Sequence, residues 1–261
     1  MTATGGQGPG AKHPACTGVV PFYNERERVL QVLRVLTRVQ HLARIVGIDD
    51  GSEDGTGALL AEKYPEVVLL RLERNRGKSA AIAAGLSLVR TSHVLLADAD
   101  LQDLEAVEVE AAVGIALADP AVDMIILRRV RAAPHARLSR GDVIFSGERV
   151  LKTELLRQVL ASSPRQYQIE IAINQAMVEH GRTVYWLPSS ARNTLKMRKR
   201  GLVSGFMSDL TMVKDMMDYA GLDAFTRQVL FFARDRYPGH LAPGDSGRVA
   251  RGPLPRSRTG P

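Results

Sequence analysis

Cysteine, long apolar runs and a secretory leader are scarce or absent in this chain of 261 residues. The single cysteine, Cys16, cannot form an internal disulfide, which fits a reducing compartment such as the cytoplasm. No segment approaches the roughly eighteen consecutive apolar residues of a membrane-spanning helix. The first residues also lack the charged and apolar regions of a signal peptide. We therefore expect a cytoplasmic protein without a transmembrane segment, peripheral to a membrane at most.

Aromatic residues are missing from the basic C-terminal tail, although the whole chain carries a net charge of +7. The tail from Gly239 onward supplies +3 of this charge, and Lys12 near the N-terminus adds one more unit. The remainder of the chain carries only about +3. This distribution argues against a nucleic-acid-binding module.

Strand-like and helix-like segments alternate through residues 16–127. Short apolar runs that end in turn residues predict strands, and apolar residues at helical spacing between them predict helices. The predicted strands are Thr17–Phe22, Arg44–Ile48, Val67–Leu72, Val94–Ala97 and Asp123–Leu127. This alternation predicts an α/β fold with a doubly wound sheet, which carries helices on both faces.

The second half of the chain is less regular. Its predicted elements are strands at Asp142–Arg149 and Thr183–Leu187 and helices at Lys152–Leu160, 203–217 and Ala224–Arg236. Tyr167–Asn174 fits both a strand and a helix, although the length of the segment to His180 favours a helix. Because residues 1–15 and 238–261 are rich in glycine and proline, we expect both to be disordered. One domain, 16–237, remains.

Asp98 and Asp100 directly follow the fourth predicted strand. The carboxyl end of a parallel strand faces the crevice in which open α/β sheets bind ligands. Two carboxylates this close repel each other unless a positive charge lies between them. A divalent cation, Mg²⁺ or Mn²⁺, would satisfy both and keep coordination sites for substrate phosphates. The alternative is a solvated turn that caps the next helix.

Polar clusters also follow the first three strands, so we expect all four to meet at one edge of the sheet. Asn24 and Glu25 could contact a nucleotide or simply cap a helix. Asp50 could accept hydrogen bonds from a nucleobase or ribose, or belong to an ordinary turn. Arg76 and Lys78 could neutralise a diphosphate near a helix N-terminus, or be solvated charges.

These clusters carry a resemblance to a known family. Pro21-Phe22-Tyr23-Asn24-Glu25, Ile48-Asp49-Asp50-Gly51-Ser52, Asn75-Arg76-Gly77-Lys78 and Asp98-Ala99-Asp100-Leu101 occur in that order. Together they resemble the nucleotide-sugar domain of family 2 glycosyltransferases of the GT-A fold, in the dolichyl-phosphate mannosyltransferase-like branch. The resemblance is close over Thr17–Leu127 and looser to about Arg236. It implies the mixed, mostly parallel sheet of the GT-A fold, with a nucleotide-sugar-binding half at 16–127 and a helical acceptor half at 128–237.

The resemblance also implies roles for individual residues. Asp50 would read the base of a UDP- or GDP-sugar, and Asp98 and Asp100 would lie at the metal and the sugar diphosphate, with Gln102 assisting at the metal. The other residues that it places at the nucleotide-sugar are Pro21, Tyr23, Asn24, Glu25, Arg76 and Lys78.

On the acceptor side, Ser146-Gly147-Glu148-Arg149 resembles the family's Ser-Gly-Phe-Arg element. Glu170 falls where members carry an acidic residue near the acceptor, although it could equally be a surface helix carboxylate. Arg192, Lys199 and Arg200 would bind an anionic acceptor. The segment between the fifth predicted strand and Ser146 is short and lacks the amphipathic helix that lets polyprenol-phosphate members lie on a membrane, which argues against a lipid phosphate as the acceptor.

The reaction that follows is metal-dependent, inverting transfer of a sugar to a hydroxyl or phosphate, with Asp100 and Glu170 as catalytic residues. A hydroxyl acceptor needs a general base, for which Glu170 is the candidate. One alternative, a nucleotidyltransferase, usually has a glycine-rich loop after the first strand, which this chain lacks. The other, a non-catalytic nucleotide-sugar-binding relative, would be expected to have lost the Asp98–Asp100 pair.

Overall fold

The computed structural model of the protein describes residues 15–130, 140–161, 168–193, 226–228 and 232–238, together with residues 221 and 230. The strands are β1 (Cys16–Phe22), β2 (Leu42–Asp49), β3 (Val68–Arg71), β4 (His93–Leu96), β5 (Leu101–Gln102), β6 (Met124–Arg129), β7 (Arg149–Lys152), β8 (Val184–Ser189) and β9 (Arg192–Asn193). The helices are α1 (Arg26–Leu36), α2 (Thr56–Lys63), α3 (Lys78–Leu86), α4 (Ala106–Ala118), α5 (Gly141–Ile144), α6 (Thr153–Ala161) and α7 (Gln168–Glu179).

Seven of the strands form one sheet in the order β3-β2-β1-β4-β7-β6-β8, and β5 and β9 form a separate ribbon. Strand β7 is antiparallel to both of its neighbours, and the other pairs in the large sheet are parallel. The carboxyl ends of β1, β2, β3, β4, β6 and β8 therefore lie at one edge. The predicted mixed, mostly parallel sheet is confirmed.

Side chains that alternate along the strands build two apolar layers. In β1, Val20 lies in one layer and Val19 in the other, and in β4 the same holds for Leu95 and Leu96. Helices α1 and α4 cover the first layer, whereas α3, α6 and α7 cover the second. The helices on both faces follow from this alternation, because each face of the sheet has to be buried.

The segment around 167–174, whose pattern fits both a strand and a helix, forms helix α7. The helix predicted there is confirmed. Ile169, Ile171 and Ile173 alternate like strand residues, yet all three are buried, with exposures of 1%, 0% and 0%. Because α7 is covered on more than one side, its apolar residues do not form the single stripe of an amphipathic surface helix.

The strand predicted over Asp142–Arg149 is wrong over most of its length. Gly141–Ile144 form the short helix α5, and the strand begins only at Arg149. The physical reason is that Asp142 turns inward, where it is 1% exposed and accepts a hydrogen bond from Arg128 Nε at 2.6 Å. A buried ion pair and a tight turn thus replace the alternation of a strand.

The C-terminal predictions are tested only in part. Residues 226–228 and 230 are helical, but residues 232–233 form a turn and Arg236 forms an isolated bridge with Trp186. The last predicted helix therefore does not continue to Arg236. The helix expected at 203–217 lies outside the described residues, as do Lys199 and Arg200 and nearly all of the predicted arm and tail. In the described ranges no helix combines the length and apolar composition needed to cross a bilayer.

Candidate active site

The loops after β1 and β2 are bound to each other at the carboxyl edge of the sheet. Asn24, with φ at +53°, donates its backbone N–H to Ser52 Oγ at 3.0 Å, and its Oδ1 accepts the N–H of Glu53 at 3.0 Å. Asp50 N–H donates to the Phe22 carbonyl at 2.9 Å. These bonds place the Asn24 and Asp50 segments side by side, as the sequence predicted.

The carboxylate of Asp50 also holds the loop that precedes α3. Its Oδ1 accepts the Arg76 N–H at 2.9 Å and its Oδ2 accepts the Gly77 N–H at 2.8 Å. Gly51, with φ at +78°, lies so close to this loop that a Cβ would come within 2.6 Å of the Arg74 carbonyl carbon. Asp50 is thus a buried organiser of three loops, and the nucleobase contact expected of it stays a prediction.

The remaining nucleotide-side residues differ in exposure. Pro21 lies within β1, opposite Ile48 of β2. Tyr23 directly follows β1 at the carboxyl edge of the sheet and is 40% exposed. Glu25 stands at the N-terminus of α1 and pairs with Arg28 at 2.9 Å, and the Arg76 side chain is exposed.

Lys78 joins two carboxylates that are far apart in the sequence. Its ammonium, in the first turn of α3, forms ion pairs with Asp98 after β4 and with Glu170 of α7, the latter at 2.5 Å. Burial opposes the protonated form of Lys78, but the charges of Asp98 and Glu170 outweigh burial and raise its pKa. Burial also opposes ionisation of Asp98, yet Lys78 holds the pKa of this carboxyl below its ordinary value.

Glu170 is therefore not the surface carboxylate of the alternative interpretation, because it is only 6% exposed. Its Oε1 is bound by Lys78, whereas its buried Oε2 has no hydrogen-bond partner among the described residues. The structure thus brings Glu170 to Asp98, 72 positions away in the sequence.

The Ser146–Arg149 segment closes the site from the other side. Gly147 lies directly against Asp98, and a Cβ at this glycine would overlap the Asp98 carboxylate. Glu148 is 1% exposed and accepts a hydrogen bond from Ser146 Oγ at 3.0 Å. Burial, reinforced by the negative charge of Asp98, raises the pKa of Glu148 to about 7.

Arg149, which is predicted on the acceptor side, does not line an open surface in this structure, and its role toward an acceptor stays a prediction. It is completely buried, with Nε donating to the Ser146 carbonyl at 3.0 Å and Nη1 donating to Asn174 Oδ1 at 2.9 Å. Burial lowers its pKa, although Glu170 and Glu148 favour its charged form. Arg149 thus supports α7 and the Ser146 turn from beneath the carboxylates.

Asp100 and Gln102 lie on the more open side of the site. Asp100 is partly exposed, and Gln102 is exposed in β5, opposite Arg192 of β9. Arg192 forms an ion pair with Asp103, so this acceptor-side cation does reach the edge that carries the Asp pair.

The donor set of Asp98, Asp100 and Gln102 fits a hard divalent cation in chemical type, because all three offer oxygen atoms. Within the part of the chain that the structure describes, no three His, Cys, Asp or Glu side chains are grouped as a metal cage. A cation here would thus need oxygen atoms from a substrate, as Mg²⁺ sites commonly do. The residues present fit a metal that binds together with a diphosphate.

Two charged groups of the site were missed by sequence reasoning. Arg129 ends β6 at the same edge, and its charge favours the ionised forms of Asp98 and Glu148. Its position just after the predicted strand Asp123–Leu127 was the signal that could have marked it. For Glu148 the signal was its place in the Ser146–Arg149 element, where an acidic residue stands in the position of the phenylalanine of the family motif.

Comparison with known proteins identifies the family of the chain. Residues 17–177 match the family model described as glycosyl transferase family 2. The chain is 40% identical over 93 residues to undecaprenyl-phosphate 4-deoxy-4-formamido-L-arabinose transferase of Pseudomonas fluorescens (strain SBW25), a match over 33% of this chain and 27% of that protein. The protein of the same name from Salmonella choleraesuis (strain SC-B67) is 37% identical over 93 residues, 33% of this chain and 28% of that protein. The chain thus covers under a third of the length of these relatives.

Among solved structures, glucosyl-3-phosphoglycerate synthase from Mycobacterium tuberculosis, in complex with Mn²⁺, UDP and phosphoglyceric acid, has a similar fold. The TM-score is 0.57 at 18% identity, over 75% of this chain and 78% of that chain. At this identity the similarity shows the fold alone, and it agrees with the GT-A architecture expected from the sequence. Because the family model covers more than half of the chain, from β1 into α7, the protein belongs to glycosyl transferase family 2.

Proposed function

We propose that the protein is a metal-dependent, inverting glycosyltransferase that uses a UDP- or GDP-sugar as its donor. The observation that carries this proposal is the contact of Lys78 with both Asp98 and Glu170 at the carboxyl edge of the sheet. A donor-side carboxylate and a candidate base are thereby held next to each other. This is the arrangement that a single in-line displacement at a sugar carbon requires.

The donor would bind along the loops after β1 to β4. Tyr23 offers an exposed ring for the base, and Asp50 keeps the Asn24 and Arg76 loops in place around it. Arg76 and Lys78 supply positive charge for a diphosphate at the start of α3. The UDP and Mn²⁺ in the similar synthase structure support a nucleoside diphosphate of this kind.

Asp98, Asp100 and Gln102 would hold Mg²⁺ or Mn²⁺. When bound, such a cation supplies positive charge that stabilises the departing diphosphate. The task of the protein residues is then to orient the donor and to hold Asp98 in its ionised form, which the ammonium of Lys78 favours.

Glu170 would accept the proton of an attacking hydroxyl. Its Oε1 is fixed by Lys78, and its partnerless Oε2 is the atom available for that proton. A positioned carboxylate base typically contributes a factor of about 10²–10⁴ in rate. Because Arg129 and Arg192 add positive charge at the same edge, we propose a hydroxyl nucleophile on an acceptor that carries negative charge.

The test is a panel of UDP- and GDP-sugars with Mn²⁺, scored by thermal shift and by slow release of the nucleoside diphosphate. Glu170→Gln is expected to lower turnover by about 10²–10⁴ while donor affinity changes little, since the base acts on the acceptor. Glu179→Gln, on an exposed part of the same helix, is the matched control. Full activity of Glu170→Gln would remove the hydroxyl mechanism, and failure of every donor to bind would remove the proposed function.

A further inference from the structure

Glu108 is a buried carboxylate that lies outside the site described above. It belongs to the first turn of α4 and is 3% exposed. Its Oε2 accepts the Ser189 hydroxyl at 2.7 Å, and its Oε1 accepts the Ser190 N–H at 2.9 Å. Among the described residues no lysine, arginine or histidine forms an ion pair with it, and these hydrogen bonds hold its carboxylate at the helix N-terminus.

These two bonds hold the chain where it leaves β8 for β9. Ser190 Oγ donates in turn to the Asp103 carbonyl at 2.7 Å, and Ala191 N–H donates to Ser189 Oγ at 3.2 Å. The next residue, Arg192, pairs with Gln102 across the β5–β9 ribbon and forms an ion pair with Asp103. A short chain of contacts thus connects Glu108 with the strand that follows the Asp98–Asp100 pair.

The ribbon cannot be stable by itself. The described part of each strand has two residues, and even a longer isolated pair of strands is marginally stable in water. Its geometry therefore depends on external anchors. Glu108 is such an anchor, because it belongs to α4, and α4 packs against β6 and β8 of the large sheet.

We propose that Glu108 is a positioning residue for the metal side of the site: it fixes the β5–β9 ribbon so that Gln102 and Arg192 stay opposite each other. Gln102 belongs to the donor and metal side, and Arg192 to the acceptor side. The inference rests on the proposed function, because it assigns Glu108 an effect on a cation that binds with a nucleoside diphosphate. Support of a ligand by its hydrogen-bonded surroundings typically changes metal affinity about 10–100-fold.

The experiment measures the affinity of the full chain for Mn²⁺ in saturating UDP, and for UDP in EDTA. Glu108→Gln is expected to weaken Mn²⁺ binding roughly tenfold and to leave UDP binding in EDTA unchanged. Combining it with Gln102→Ala is expected to weaken Mn²⁺ binding little further, because both changes remove the proposed contact of Gln102 with the cation. Glu105→Gln, an exposed carboxylate that precedes the same helix, is the control. Additive losses, or unchanged Mn²⁺ affinity in Glu108→Gln, would overturn the proposal.

Hydrogen exchange gives a readout that does not depend on ligands. In Glu108→Gln the amides of residues 189–193 are expected to exchange at least about tenfold faster, with no change in β1 to β4. Ser189→Ala is expected to have the same effect in a smaller degree, should Glu108→Gln fold poorly. If neither UDP nor GDP binds the parent protein with Mn²⁺, the proposed function fails, whereas the exchange data still test the anchor. Unchanged exchange at 189–193 would refute it.

Discussion

Lys78 carries the positive charge between two carboxylates that reach it from different elements, Asp98 after β4 and Glu170 in α7. Removing one partner of such a buried group leaves uncompensated charge, which typically costs about 3–5 kcal/mol. The three side chains therefore depend on one another. The exposed fractions of the side chains alone are 18% for Lys78, 20% for Asp98 and 8% for Glu170, so little solvent is available to replace a lost partner. This mutual dependence fixes Glu170 in the site more firmly than its position in the helix alone would.

Glu148 gives a prediction for pH dependence. Its pKa is raised from 4.5 to about 7 by burial and by the charge of Asp98, so the fold favours its neutral form. The stability gained from that preference is complete below pH 4.5 and is lost as the pH rises to about 7. Glu148→Gln stays neutral, so its free energy of unfolding relative to the parent is expected to rise between pH 5 and pH 8.

Urea unfolding at several pH values in EDTA measures this difference, with a limiting slope of about 1.4 kcal/mol per pH unit for one proton. The exposed Glu154→Gln is the control, and its curve is expected to run parallel to that of the parent. Parallel curves for Glu148→Gln as well would mean that Glu148 is ionised in the fold throughout this range.

Single residues were predictable where a local pattern marked them. Asp50, Asp98 and Asp100 stand shortly after strands, and Lys78 begins the helix that follows the third strand. Both positions were readable from the apolar runs before them. Their partners were not readable. The contact of Lys78 with Glu170 spans 92 positions and depends on how α7 packs, which no local pattern encodes.

At the scale of elements, the turn at 145–148 decides how the Asp pair is enclosed. The apolar residues around it predicted a strand, but the turn leaves the helical geometry of α5 and brings Gly147 against Asp98. Glycine is needed here for close approach rather than for an unusual φ. The propensities of residues 145–148 could not predict this close approach, because the Asp98 carboxylate comes from the loop after β4.

Gly147→Ala is accordingly expected to destabilise the fold by about 1–3 kcal/mol, the usual cost of overpacking. It should also weaken binding of Mn²⁺ and UDP by displacing the Asp98 carboxylate. Gly114→Ala is the matched control, because its Cβ would meet His41 at an ordinary 3.6 Å and lies in the interior of α4. Calorimetric binding and urea unfolding measure both effects. Unchanged binding in Gly147→Ala would mean that Asp98 moves aside without loss.

At the scale of the whole molecule, the βα alternation predicted the parallel half of the sheet, and β1 to β4 confirm it. It could not predict β7, which inserts antiparallel between β4 and β6. Strand β7 is only four residues long, and no tight turn joins it to its antiparallel neighbour β6, so its place also depends on long-range pairing with His93–Leu96. Because of this insertion, Ser146–Arg149 crosses the carboxyl edge next to Asp98 and completes the site.

Four loops from different strands meet at this edge, so a ligand that bridges them is expected to stabilise the entire sheet. A ligand that binds only the folded state adds about 2.7 kcal/mol at 100 times its dissociation constant. UDP or GDP with Mn²⁺ should therefore raise the melting temperature more than the nucleotide does in EDTA. Asp100→Asn should abolish the increment that depends on Mn²⁺ and keep the increment in EDTA, since the carboxylate acts through the cation.

Asp119→Asn, beyond the C-terminus of α4, is the control and should retain both increments. An increment that persists in Asp100→Asn would mean that Mn²⁺ binds without Asp100, and the proposed metal site would then be wrong.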